Sequence, residues 1–192
     1  MAQLTKAAIM DAFVHLLEQM PMDQITVQAI TAGCGISRNT FYYHYSDIFA
    51  LLKAVLQRDM DMLLVQRRPG EHAREGLRRL IDYIADRQRM VQHIYSSIGH
   101  ATMEDYLVET TWDLFMAYLR DTAEGLSPSE EDMEFLCYSY QFMLIGILLG
   151  WVRRGMKGDL ADLLERAQRL FFHGTRRVLE ENSGVPFSVP FS

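Results

Sequence analysis

The sequence predicts an all-α chain in two parts, a three-helix head built round a helix-turn-helix and a longer helical body. Three observations carry this. Apolar residues recur at spacings of three and four along most of the chain. No stretch of useful length alternates apolar and polar residues as a strand would. Between Thr26 and Tyr45 two short helical patterns flank a glycine-containing break, Gly33-Cys34-Gly35, where positive φ comes at little steric cost.

That stretch explains the head. Val27 and Ile30 give its first helix an apolar side, and Thr26 stands where an N-cap is needed. Ser37 restarts the helix. Phe41 and Tyr45 are four apart and share an inward face. Arg38, Asn39, Tyr42, Tyr43 and His44 are left on or near the outer face. Burying that many hydrogen-bonding groups together would be costly, so the second helix is expected to display them. A helix of this kind suits entry into a DNA major groove, N-terminus first.

The same residues resemble the DNA-binding signature of the TetR/AcrR family of bacterial transcriptional regulators. The likeness runs from Ile30 through Gly35, Ile36, Ser37, Thr40, Tyr42 and His44 to Tyr45. Thr31 and Cys34 stand where small alanines are usual, and Ile48 where the family often has a phosphate-contacting lysine. The resemblance implies an N-terminal helix-turn-helix DNA-binding domain and a C-terminal helical domain for ligand binding and dimerisation. It casts Arg38, Asn39 and Tyr43 as base-edge readers, chemistry that suits guanine, adenine and the thymine methyl respectively. Thr26, Ser37, Thr40, Tyr42 and His44 would bond phosphates, with Lys53 a weaker candidate.

Composition limits the rest. A chain of 192 residues can hold one domain or two small ones. Its net charge of −6 argues against coating nucleic acid wholesale, not against one local contact surface. Up to residue 60 the basic groups are Lys6, Arg38, Lys53 and Arg58, against Asp11, Glu18, Asp23, Asp47 and Asp59. Affinity for DNA should therefore lean on hydrogen bonds and dimerisation more than on counterion release. Cys34 and Cys137 supply neither a disulfide framework nor a paired-cysteine zinc pattern. The N-terminus has no signal-peptide pattern, and the longest uncharged apolar run, Phe142 to Val152, falls short of the about 20 residues a bilayer requires. The expected compartment is the cytoplasm, without a membrane partner.

In order, Lys6 to Met20 reads as an amphipathic helix through Ile9, Phe13, Leu16, Leu17 and Met20, ended by Pro21. Ser46 and Asp47 are possible caps for the next helix, which is long enough to link head to body. Arg67-Arg68-Pro69-Gly70 is the clearest break, and it places the head at residues 1–60, the body at 61–182 and a loose tail at 183–192. A helix is expected from Glu71 to about Ser96. The seven arginines between Arg67 and Arg89 fit a solvated, salt-bridged face; the alternative is a second anion-binding patch. Gly99 marks a break, and Met103 to Ala123 the next helix. Ser127-Pro128-Ser129-Glu130 is a start signal with Ser127 as the cap, opening a helix to about Arg154. Gly158-Asp159 opens the last helix, to about Glu181.

Two further surfaces are expected in the body. Tyr83, Tyr95, Met103, Tyr106, Trp112, Met116, Tyr138, Phe142 and Met143 are ligand-pocket candidates, although any single one of them fits plain core better. Gly146 and Gly150, with Trp151, Leu163 and Leu170, are dimer-interface candidates, since small residues four apart permit close helix approach and the helix around them is apolar almost all round. The histidines are scattered, and neither a metal set, a nucleophile elbow nor a phosphate loop appears. No cofactor and no enzyme activity are expected. The expected partners are a double-stranded DNA operator, an unidentified small-molecule effector and a second copy of the chain, with a protein-controlled regulator as the alternative.

Overall fold

The computed structural model describes residues 2–65, 73–167 and 169, and among these every regular element is a helix. They are α1 (Ala2–Leu17), α2 (Val27–Cys34), α3 (Arg38–His44), α4 (Ile48–Val65), α5 (Ala73–Asp86), α6 (Gln88–Thr122) and α7 (Glu130–Arg153). A single 3-10 turn, Met22–Gln24, separates α1 from α2, and helix resumes over 160–167. The break at Arg67–Gly70, the tail at 183–192 and Leu170 lie outside the described residues.

The described chain divides into two units. One holds α1 to α4 together with Tyr83–Met103; the other holds α5 up to Asp82 and the chain from Glu104 onward. The first unit thus takes more than the head read from sequence. α1 packs on α2 and α4, and α2 on α3. Ile9, Phe13 and Leu17, four apart on one face of α1, are fully buried with Ile30, Phe41, Leu51 and Val55. Each such burial contributes about 1.5–3 kcal/mol. The first segment of α6 closes the unit: His93 Nδ1 lies 2.7 Å from the Leu17 carbonyl, and the Asp23 amide donates to Ser97 Oγ at 3.2 Å.

In the second unit Tyr118 and Tyr140 stack with ring centroids 5.4 Å apart, and Phe115 meets Tyr140 edge-on. The buried Gln141 donates through Nε2 to the Val108 carbonyl at 2.8 Å and to Thr111 Oγ1 at 2.9 Å, tying α7 to α6. α7 is long and apolar enough to cross a membrane by length and composition, more than its uncharged run suggests; half of that apolar window is buried within the chain, as befits a core helix.

Two boundaries differ from the sequence reading, and a third agrees with it. α7 is capped by Ser129, not Ser127: Ser129 Oγ accepts the Asp132 amide at 3.1 Å and bonds the Asp132 carboxylate at 2.6 Å. Asp132 three residues on makes Ser129 the better cap, and Pro128 falls before it. The expected helix from Glu71 to Ser96 is broken at Arg87, between α5 and α6. Gly99 does mark a break, as expected: at φ 79° and ψ 175° its backbone is non-helical and divides α6 into two helical segments.

Candidate nucleic-acid interface

Local bonding builds the recognition element. Thr26 Oγ1 accepts the Ala29 amide at 3.1 Å and opens α2. Gly35 closes it in the left-handed region at φ 68°, its amide returning to the Thr31 carbonyl. Gly33 lies inside α2, so the turn is made by Gly35. Ser37 Oγ then accepts the Thr40 amide at 3.1 Å and lies 2.9 Å from Thr40 Oγ1, opening α3. Asp47, not Ser46, caps α4, taking the Ala50 amide at 2.7 Å. Each cap contributes about 1 kcal/mol, and together they fix the angle at which α3 leaves the core.

α3 has one buried residue, Phe41, and Tyr45 follows it inward. The rings of Phe41 and Tyr45 lie 6.0 Å apart, and Phe41 meets Tyr42 edge-on. The opposite side is open: Tyr43 is 82% exposed and Tyr42 50%, with Arg38, Asn39 and Ser37 exposed and Thr40 and His44 half-exposed. Tyr43 and His44 touch edge to face. Thr26 and Lys53 are exposed on the same unit. The residues read as DNA contacts are therefore presented outward, as an interface requires. The Tyr45 hydroxyl is buried and finds no hydrogen-bond partner among the described residues; burial pushes its phenol pKa up, against the pull of Arg58.

Cys34 sits half-buried beneath this turn and donates its thiol to the Ile30 carbonyl. Burial raises its pKa, outweighing the backbone bonds that lower it. A redox sensor needs the reverse shift.

The body candidates fall into two groups. Tyr83, Tyr95 and Met103 belong to the first unit. Tyr83 donates its hydroxyl to Asp59, Tyr95 pairs with His100, and Met103 is buried. In the second unit Trp112, Tyr138 and Phe142 form an aromatic row, with centroids 4.7 Å and 6.3 Å apart in turn. Met116 is buried, and Tyr106 and Met143 are half-buried. Among the interface candidates Trp151 is 1% exposed and donates Nε1 to the Gly158 carbonyl at 3.1 Å, so it anchors the turn after α7. Gly146 is exposed, and a Cβ built there would meet nothing within 4 Å. Gly150 and Leu163 are half-buried. Phe135, Tyr138 and Phe142, each more than 40% exposed, run along the outside of α7 towards Gly146.

Sequence reasoning missed two residues. Asp59 lies four residues after Val55 on the apolar stripe of α4 and is buried. Gln141 opens the most apolar run in the chain, and its Oε1 finds no hydrogen-bond donor among the described residues. In each case a polar residue on an otherwise apolar face was the available signal. Among the described residues no group of three or more His, Cys, Asp or Glu is placed to hold a metal ion.

A capped helix-turn-helix with a polar outer face and a buried aromatic inner face defines a class, the helix-turn-helix DNA-binding regulators. Comparison with known proteins gives the family. Residues 9–55 match "Bacterial regulatory proteins, tetR family", and residues 71–173, over half the chain, match "Transcriptional regulator C-terminal region" of the same family. The chain belongs to the TetR family of transcriptional regulators and is a DNA-binding protein. It is similar to the HTH-type transcriptional regulator EthR of Mycobacterium tuberculosis, 34% identical over 75 residues; that match spans 36% of this chain and 35% of EthR. Two solved structures share the fold. The dihydroxyacetone kinase operon activator DhaS is 19% identical, with a TM-score of 0.69 over 96% of this chain and 98% of its own. A tetR-family regulator from Streptomyces coelicolor is 15% identical, with a TM-score of 0.57 over 98% and 93%.

Proposed function

We propose that the protein is a homodimeric, one-component regulator that binds a roughly palindromic operator in the cytoplasm, with DNA affinity set by a small molecule held in its second unit. The observation that carries the DNA half of this reading is α3, whose outer face offers Arg38, Asn39, Tyr42 and Tyr43 while Phe41 alone is buried. Arg38, Asn39 and Tyr43 read base edges. Thr26, Ser37, Thr40, Tyr42, His44 and Lys53 hold the backbone. Two such helices enter successive major grooves about 34 Å apart.

Dimerisation uses the outer face of α7. Its exposed aromatic row and open Gly146 form an apolar stripe that water covers poorly. Ligand control is supported by Gln141, a buried side chain whose carbonyl oxygen finds no donor among the described residues. Leaving such an acceptor unmet costs about 1–3 kcal/mol, which a ligand carrying a hydrogen-bond donor would offset. A ligand that prefers one arrangement of the dimer shifts DNA affinity by the difference in its own affinities. Repression is the expected sign, although DhaS is named an activator.

The test is to incubate the purified protein with sheared DNA from its source organism at near-physiological salt and sequence what is retained. Enrichment of a short palindrome is the expected result. If unfolding and refolding to strip ligands still leaves nothing enriched, the reading is wrong. A reporter placed behind the enriched site then reads the sign of regulation.

A further inference from the structure

Asp59 is a carboxylate on the apolar face of α4, 6% exposed. A charge there needs partners, and α4 itself and α5 supply them. Arg58, beside it on α4, donates Nε to Oδ1 at 3.1 Å. Through its other end the same guanidinium reaches Asp11 on α1 at 2.9 Å. From α5 the Tyr83 hydroxyl donates to Oδ2. Arg87, one turn on, lies over the Tyr83 ring at 4.1 Å from its centroid. Burial works against the charge on Arg58, but the bonds to Asp11 and Asp59 outweigh it. Burial and the bond to Asp59 both raise the pKa of the Tyr83 phenol, so at neutral pH it remains a donor.

Stability alone does not account for this arrangement. A well-packed apolar residue commonly serves as well as a buried ion pair, or better, because desolvation offsets most of the Coulombic gain. What the polar arrangement adds is direction: one oxygen for Tyr83, one for Arg58, and no tolerance for sliding. Its place in the chain gives that direction a use. α4 follows α3 after only Tyr45, Ser46 and Asp47, so a shift of α4 is passed to the recognition helix. α5 begins in the second unit and ends in the first, and Tyr83 is its first residue on the head's side of the division.

We propose that the Tyr83–Asp59 hydrogen bond is the coupling contact through which the second unit sets the position of α4, and with it α3. Tyr83 is here a positioning residue that touches neither DNA nor ligand. The inference rests on the reading that DNA affinity is governed from the second unit. Coupling between sites is reciprocal, so it can be read without the effector: operator binding at α3 must be felt in the part of α5 that lies in the second unit.

The test is amide hydrogen exchange on the full-length protein, with and without the palindrome recovered by the DNA selection. In wild type the operator slows exchange at residues 38–44 and, at least about fivefold, at residues 76–82. Tyr83→Phe keeps the first effect and loses the second; it also leaves Asp59 Oδ2 without its donor and lowers the melting temperature, so exchange is compared well below that temperature. Arg87→Met removes the cation over the ring, leaves the hydroxyl, and keeps both effects. The proposal falls if Tyr83→Phe preserves the response at 76–82, or if wild type shows none there. If no DNA sequence is enriched at all, the regulator reading fails first and takes this one with it.

Discussion

α3 and α7 solve opposite problems with the same backbone. α3 has seven residues, buries one of them, and turns arginine, asparagine and two tyrosines outward. α7 has 24 residues, buries ten, and turns phenylalanine, tyrosine and glycine outward. A helix as short as α3 has almost no stability of its own; caps and one aromatic anchor hold it, and its exposed face is left to hydrogen-bond chemistry. α7 is held along its length by the core, so its exposed face can be apolar without loss of fold. The comparison teaches that exposure means different things on the two helices. Polar exposure on α3 fits a ligand that is itself polar, and apolar exposure on α7 fits a second copy of the same helix.

Substitutions can break or sharpen this contrast. The largest effect is expected at α3. Arg38→Ala or Tyr43→Ala removes a base contact from each half-site, about 1–3 kcal/mol each and twice that per dimer, so specific binding is lost while sedimentation still shows a dimer. Unchanged specific affinity would mean that α3 is not the reading helix. On α7, Trp151→Ala strikes the inward face and should cost about 3–5 kcal/mol of stability in a thermal or denaturant melt, whatever happens at the surface. Gly146→Glu strikes the outward face. Nothing within the chain opposes a side chain there, so the melting temperature of the monomer should hold, while dimer affinity falls by roughly 2–3 kcal/mol through a charge buried against its mate. A dimer that survives this change would put the interface elsewhere. The smallest effect is Ser37→Ala, which removes the α3 cap and about 1 kcal/mol. It should appear as a modest loss of DNA affinity with faster exchange in α3 alone.

The head was largely legible because its structure is local. Thr26, Ser37 and Asp47 cap the helices that follow them, and Phe41 and Tyr45 turn inward as their spacing requires. The choice of Gly35 over Gly33 for the turn, and of Ser129 over Ser127 for the α7 cap, turned on which neighbour supplies the better return bond. The body was less legible because its roles depend on partners far along the chain. The spacing of Tyr83 gives no hint that Asp59, 24 residues away, accepts its hydroxyl. Nor does the sequence around Trp151 show that its indole donates to the Gly158 carbonyl. The break at Arg87 carries neither glycine nor proline, and nothing in the local sequence announces it.

The ion pairs of Arg58 have one more consequence, which concerns how the protein finds its site. With Arg58 spent on Asp11 and Asp59, the exposed cations of α1 to α4 are Lys6, Arg38 and Lys53, and Ile48 stands at the base of α4. Attraction to arbitrary DNA comes almost wholly from such charges. A head this poor in them lingers little on the wrong sequence, arrives more slowly than a basic one, and loses less affinity as salt rises. Discrimination is then set by what happens after contact, in the fit of a few side chains to base edges, rather than by time spent sliding along the chromosome.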